Sequence, residues 1–239
     1  MIHLPCKRQR GKCLSKVLII AHRGASAYEP ENTLRSVKKA LELSADMVEV
    51  DVRASRDGHT VVMHDALVDR TTNGKGYVKD MTLKELKRLN AGLGEHIPTL
   101  QEVTELLRGK AQLVVEIKVP GIEKKVLQVL QKNELDRQAL ITSFYHPILK
   151  RVKELNPNMR TGAIIASRPI KAAQLALDAN SNALFPRHVY VDSEMVEEAH
   201  KLDLAVYPWT IDILNEIEPF IKMGVDGIVT NKPDVLDLR

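Results

Sequence analysis

Val48-Glu49-Val50-Asp51-Val52 alternates valine with carboxylate at a period of two. Side chains of a β-strand point to opposite faces in turn, so the three valines share one face and Glu49 and Asp51 the other. An exposed strand with an ordinary polar face reads the same way in isolation. In a parallel barrel the apolar face must meet the surrounding helices, which turns both acids inward. Their α-carbons would then lie about 6.6 Å apart, a span over which converging side chains chelate one cation.

The next β-branched run repeats the device. In Leu113-Val114-Val115-Glu116-Ile117-Lys118, Glu116 and Lys118 share the face opposite Val115 and Ile117. Three inward acids on neighbouring strands repel one another and are costly to bury unless a cation neutralises them. Oxygen-only ligands favour a hard ion, Mg²⁺ or Ca²⁺, over zinc. A salt bridge from Lys118 to either glutamate is compatible with the same pattern.

Outward from these two strands, short β-branched runs alternate with amphipathic segments of helical period, the pattern of repeated βα units. The expected strands are Val17–Ala21, Met47–Val52, Leu113–Val119, Ala139–Thr142, Thr161–Ala166, Ala183–Phe185, Ala205–Tyr207 and Gly227–Thr230. Helical stretches follow them, among them Leu34–Leu43, Ile122–Leu130, Ile148–Leu155, Ile170–Ala179, Glu194–Leu202 and Leu214–Met223. Eight strands with eight helices give the fold class: α/β, a (β/α)8 TIM barrel. One excursion interrupts the alternation, between the second strand and its helix near Thr99–Leu107. It contains Thr60–His64, Asn73-Gly74 and Thr82–Leu89. Long insertions in compact domains are usually functional, and in this fold they sit over the mouth of the barrel.

His22-Arg23-Gly24 follows the first strand directly, and His64-Asp65 ends the run Val61–Met63. A lone histidine is usually structural. Two that end strand-like runs beside a carboxylate cluster are catalytic candidates, because barrel chemistry gathers at the C-terminal ends of strands. Arg23 offers a planar fork suited to phosphate oxygens, and Gly24 lets the backbone turn tightly beside a ligand.

The 239 residues suffice for one core, with 44% hydrophobic and 28% charged residues and no run approaching a membrane-spanning length. The net charge of +4 is unevenly placed. Lys7, Arg8, Arg10, Lys12 and Lys16 occupy residues 1–16 with no acid, leaving 30 bases against 31 acids in the rest. A basic extension (1–16) followed by a barrel domain (17–239) is therefore expected, the extension being solvated or making weak contact with an anionic membrane surface. Nucleic acid is not an expected partner, since the basic excess is confined to the tail and no aromatic residues are interleaved with it. Cys6 and Cys13 match no common zinc spacing and read as free thiols of a cytoplasmic protein. No apolar stretch of a secretory signal follows the basic residues.

Nine blocks in order, from about residue 18 to 235, resemble the glycerophosphodiester phosphodiesterase family. They are His22-Arg23-Gly24, Pro30-Glu31-Asn32-Thr33, Glu49-Val50-Asp51, His64-Asp65, Arg70-Thr71-Thr72-Asn73-Gly74, Ile97-Pro98-Thr99-Leu100, Glu116-Ile117-Lys118, Trp209-Thr210 and Asp226-Gly227-Ile228-Val229-Thr230-Asn231. The resemblance implies a divalent metal on Glu49, Asp51 and Glu116, and acid/base catalysis by His22 and His64. It implies phosphate contacts from Arg23 and Lys118, packing of Trp209 on glycerol, and a place at the mouth for Glu31 and Asn32. Asn32 or Thr33 could equally be a plain helix N-cap. Two departures bear on substrate preference: Asp212 stands where members usually carry Asn, and the segment between Asn90 and Ile97 is short.

The expected reaction is metal-dependent hydrolysis of a glycerophosphodiester to glycerol 3-phosphate and an alcohol. The site blocks contain no Ser or Cys beside a base, which leaves water or the substrate's own 2-hydroxyl as nucleophile. Rival readings are a lysophospholipase D-type activity on lysophospholipids and a non-catalytic phosphate-binding barrel.

Overall fold

The computed structural model describes residues 17–236. The basic extension and both cysteines lie outside the described residues. Among the described residues nine strands form one sheet: β1 (Leu18–Ala21), β2 (Met47–Ala54), β3 (Thr60–Val62), β4 (Gln112–Ile117), β5 (Ala139–Ser143), β6 (Arg160–Ile165), β7 (Ala183–Pro186), β8 (Ala205–Val206) and β9 (Gly227–Thr230). Eight of them run parallel in the order β8-β7-β6-β5-β4-β2-β1-β9, while β3 folds back antiparallel on β2. Backbone hydrogen bonds from Asp226 to Val206 and from Val229 to Pro208, both 3.0 Å, draw the two ends together into a nearly closed barrel. The expected (β/α)8 fold is present, with β4 as the third barrel strand.

The α-helices are α1 (Leu34–Glu42), α2 (Leu83–Leu86), α3 (Leu100–Leu107), α4 (Glu123–Lys132), α5 (His146–Leu155), α6 (Ala172–Asp178), α7 (Ser193–Lys201) and α8 (Leu214–Met223). Among the described residues, seven of these follow barrel strands. The eighth, α2, lies inside the insertion, and after β9 residues 231–236 form turns rather than the eighth βα helix expected from the count. Helix starts are set locally. Thr33, Thr82 and Thr99 each close a capping box with Ser36, Glu85 and Glu102, an arrangement typically worth about 1 kcal/mol per cap.

Two apolar layers follow from the period-two strands. The outer layer packs Val48, Val50, Val52, Val115 and Ile117 against helix residues such as Val37, Val103 and Val126. The inner layer fills the barrel floor with Ile20, Met47, Val114, Leu140, Ile164, Phe185, Tyr207 and Val229. Gly162 belongs to that floor: a Cβ there would stand 2.6 Å from the Phe185 ring, so the glycine makes the room Phe185 occupies. The insertion carries a core of its own, built from Val61, Met63, Val68, Val78, Leu86, Ala91 and Ile97. No helix among the described residues is long and apolar enough to cross a membrane.

Candidate active site

Above the barrel floor the inward positions turn acidic. Asp51 pairs in register with Glu116 across β2 and β4, and Glu49 sits one inward step below Asp51, opposite Val114. Each of the three offers an oxygen within 4.8 Å of the others, and all three are buried, at 5%, 0% and 8% exposure for Glu49, Asp51 and Glu116. Asn32 clamps Asp51 from the β1–α1 loop: its Nδ2 donates to Asp51 Oδ2 at 2.8 Å, and its Oδ1 accepts from the Asp51 amide at 3.2 Å. Thr33, not Asn32, is the helix cap.

Two cations line the cluster. Lys118 Nζ lies 2.6 Å from Glu116 Oε1 and 2.9 Å from Asp51 Oδ1, and Arg23 Nε lies 3.3 Å from Asp51 Oδ2. Burial pushes Asp51 up, but Lys118 and Arg23 outweigh it and hold the carboxyl at about 2. Glu49 has less help: burial, then repulsion from Asp51 and Glu116, raises it well above its ordinary value. Burial and Asp51 likewise raise Glu116 to about 7. Arg23 donates its backbone N–H to Glu49 Oε2 at 2.8 Å, yet Glu49 Oε1 is buried with no hydrogen-bond partner among the described residues. An orphaned buried carboxylate oxygen beside two further carboxylates is a charge deficit that a hard divalent cation would fill. The donor set fits such an ion.

The tight turn after β1 positions Arg23. Arg23 and Gly24 both take positive φ, 56° and 76°. A Cβ on Gly24 would meet the Ser36 backbone at 2.6–2.7 Å, so only glycine lets α1 start against this turn.

The two histidines arrive by different routes. His22 follows β1, and its Nδ1 lies 2.8 Å from Asn231 Oδ1 at the end of β9. Burial, reinforced by the Arg23 charge, pushes His22 down to about 4. His64 follows β3, which returns antiparallel towards the mouth and docks through the Met63 amide on the Asp51 carbonyl. Its Nδ1 lies 2.6 Å from Asp65 Oδ1. Burial lowers His64 too, with Asp51 opposing the shift. Arg70 holds Asp65 through Nε at 2.7 Å and grips Glu31 with both Nη atoms at 2.7 and 2.8 Å. Glu31 in turn accepts from Arg23 at 2.9 Å. The chain His64–Asp65–Arg70–Glu31–Arg23 thus ties the insertion to the β1 turn.

Trp209 is anchored by its indole N–H on the Phe185 carbonyl at 2.8 Å and meets Phe144 edge-on at 5.7 Å. The Phe144 ring lies 5.9 Å from Lys118 Nζ, which joins the aromatic pair to the carboxylate cluster.

Of the ten residues singled out by the sequence, Glu49 and Asp51 lie within β2, Glu116 near the end of β4, and the other seven on the loops beyond β1, β3, β4 and β8. Asn32 is buried against Asp51, while Glu31, partly exposed, is engaged by Arg23 and Arg70. Three further contributors have no role assigned by the sequence, although Asn231 closes one of its nine blocks. Arg53 continues the inward series 49, 51, 53 and forks onto the His64 carbonyl at 2.7 and 2.9 Å; extending the alternation by one step would have found it. The roles of Asn231 and Phe144 depend on strands far apart in sequence and leave no local signal.

Residues 22–235 match the model of the glycerophosphoryl diester phosphodiesterase family. The chain is 42% identical over 234 residues to a glycerophosphodiester phosphodiesterase of Caldanaerobacter subterraneus subsp. tengcongensis, covering 92% of this chain and 96% of that one. It is 33% identical to a glycerophosphodiester phosphodiesterase of Bacillus subtilis, over 95% of this chain and 88% of that one. An Oleispira antarctica phosphodiesterase, solved in complex with the product sn-glycerol-3-phosphate, superposes with a TM-score of 0.86 at 29% identity, covering 92% of this chain and 95% of that chain.

Proposed function

The chain belongs to the glycerophosphoryl diester phosphodiesterase family, and from that premise we propose that it hydrolyses glycerophosphodiesters to glycerol 3-phosphate and an alcohol at the Glu49–Asp51–Glu116 cluster. The observation that carries this reading is the convergence of three buried carboxylates, with Glu49 Oε1 orphaned and with His22 and His64 both within reach of the Asp51 charge. A divalent ion, Mg²⁺ or Ca²⁺, bound by the three acids would offset their charge and polarise a phosphoryl oxygen.

The chain's own residues supply the rest. Arg23 and Lys118 present two fixed charges at the cluster for the non-bridging phosphate oxygens. Trp209, locked by its N–H, offers an apolar surface for the glycerol carbons. His22, held neutral near pH 7 by burial, takes a proton through Nε2. His64, whose Nδ1 faces the Asp65 carboxylate, gives one to the leaving alcohol; each such transfer contributes typically about 10²–10⁴-fold.

Among the described residues, no serine or cysteine nucleophile is placed beside a base in the site. Ser143 donates its hydroxyl to the Ile117 carbonyl at 2.8 Å and accepts the Tyr145 amide, so it is spent on a turn. The substrate's 2-hydroxyl is adjacent to the phosphoester, and intramolecular attack reaches effective molarities of roughly 10⁵–10⁸ M. In the first step His22 accepts the 2-hydroxyl proton, the alkoxide oxygen bonds to phosphorus, and the ester bond to the alcohol breaks as that oxygen takes the His64 proton. Water then opens the cyclic glycerol phosphate with the two roles exchanged. A substrate lacking the 2-hydroxyl should bind and turn over far more slowly; cleavage at the normal rate would replace this pathway by direct attack of water.

A second reading, cleavage of lysophospholipids, draws support from the rim. Phe144, Tyr145 and Ile170 are 44%, 61% and 94% exposed on the loops after β5 and β6, where an acyl chain could lie. Assaying glycerophosphocholine and lysophosphatidylcholine side by side separates the two substrate classes.

A further inference from the structure

Asp212 lies between Trp209 and α8. Its side chain is engaged at the end of β9. Asp212 Oδ1 accepts the Asn231 backbone N–H at 2.7 Å and the Thr230 hydroxyl at 2.9 Å, and Oδ2 accepts the Asn231 amide Nδ2 at 2.6 Å. The other end of that amide, Oδ1, faces His22 Nδ1 at 2.8 Å. The Ser26 hydroxyl lies 2.8 Å from the same oxygen and 2.7 Å from the His22 carbonyl. Three neighbouring barrel positions, after β8, β9 and β1, are joined in one line.

The line has a direction. An ionised carboxylate only accepts hydrogen bonds, so the Asn231 group 2.6 Å from Asp212 must be the NH₂. A flipped amide would set two oxygens against each other there and two nitrogens side by side at His22. With the amide fixed, Asn231 Oδ1 is an acceptor, and the His22 nitrogen facing it must carry the proton. Among the described residues Nδ1 is the only ring nitrogen of His22 with a hydrogen-bond partner, which leaves Nε2 as the unprotonated nitrogen available for chemistry.

We propose that Asp212 is a positioning residue that acts through Asn231 to hold His22 in the Nδ1–H tautomer. The proposal rests on the reading of His22 as the base. An asparagine at 212 can present either an oxygen or an NH₂, so the Asn231 amide would no longer be forced one way and His22 would sample both tautomers. A carboxylate moved to position 231 would also accept from Nδ1, and an asparagine at 212 could then donate to it.

The test combines imidazole ¹⁵N NMR of histidine-labelled protein, with the His22 signals assigned by comparison with His22→Gln, and kinetics on glycerophosphocholine for Asp212→Asn and for the swapped pair Asp212→Asn/Asn231→Asp. The expected results are a single Nδ1–H tautomer in the unmutated protein and a mixture in Asp212→Asn. The loss of kcat in that variant should be about tenfold or more with KM within about twofold, and the swapped pair should recover both tautomer and kcat. A protonated Nε2 in the unmutated protein overturns the proposal whatever the variants do. So does an Asp212→Asn protein with one tautomer and normal kcat, or a swapped pair no better than the single variant. Failure of the catalytic reading is distinguishable, because it shows as normal activity in His22→Gln with the tautomer unchanged in the parent.

Discussion

His64 Nδ1 lies 2.6 Å from Asp65 Oδ1, and that carboxylate is itself held by Arg70. Burial lowers His64 on balance, and the Asp65 carboxylate against one ring nitrogen opposes that shift, enlarging the share of imidazolium that can hand a proton from Nε2 to a departing alcohol. The benefit depends on the leaving group. His64→Ala is expected to lower kcat about 10²–10⁴-fold on glycerophosphocholine, whose alcohol is a poor leaving group, and far less on a p-nitrophenyl ester that departs unprotonated. Asp65→Asn should follow the same pattern more weakly. Equal losses on both substrates would remove His64 from the role of acid.

Lys118 is the counter-charge of the carboxylate cluster, 10% exposed and within 2.9 Å of both Asp51 and Glu116. Its replacement by methionine leaves buried acids uncompensated, a change that costs about 3–5 kcal/mol in comparable pairs. In EDTA, Lys118→Met should melt well below the parent, and divalent ion should raise its Tm by more than it raises the parent's. Equal melting temperatures in EDTA would show that Lys118 carries no such load.

The pH dependence of His22 has a definite sign. An unfolded histidine takes up its proton near 6.5 and folded His22 only near 4, so between those values the unfolded chain binds more protons. The stabilising contribution of a neutral His22 is complete above about 6.5 and lost as pH falls towards 4, by up to about 3 kcal/mol. Urea unfolding in EDTA at pH 7 and pH 4.5 should show the parent losing more stability than His22→Gln. Parallel losses would mean that the folded site protonates His22 as readily as the unfolded chain does.

The legible parts of this molecule are those governed by short periods. Val48 to Val52 announces which side chains face helices and which face the barrel axis, because a strand has a period of two and the outer face of a barrel strand is covered by apolar helix residues. The same logic placed Glu116 and Lys118. It did not reveal that Lys118 would sit on Asp51 rather than on Glu49, since the register of β2 against β4 is a tertiary property. His64 was found for an incomplete reason: it ends a strand-like run, but that run is the returning arm of a hairpin, not a barrel strand. The contact of Asn231 with His22 spans 209 residues and arises because β1 and β9 are neighbours in the barrel. The eighth helix is expected only from the barrel count, and the residues described after β9 do not form it.

The central claim is that Glu49, Asp51 and Glu116 hold a divalent ion on which hydrolysis of glycerophosphodiesters depends. Its most direct measurement is the release of glycerol 3-phosphate from glycerophosphocholine by the parent protein after exhaustive chelation and again after Mg²⁺ or Ca²⁺ is returned, alongside Glu49→Gln and Glu116→Gln. The account predicts loss of turnover on chelation, recovery with one of the two ions in the parent, and little recovery in either variant. Undiminished turnover in the chelated parent would contradict it.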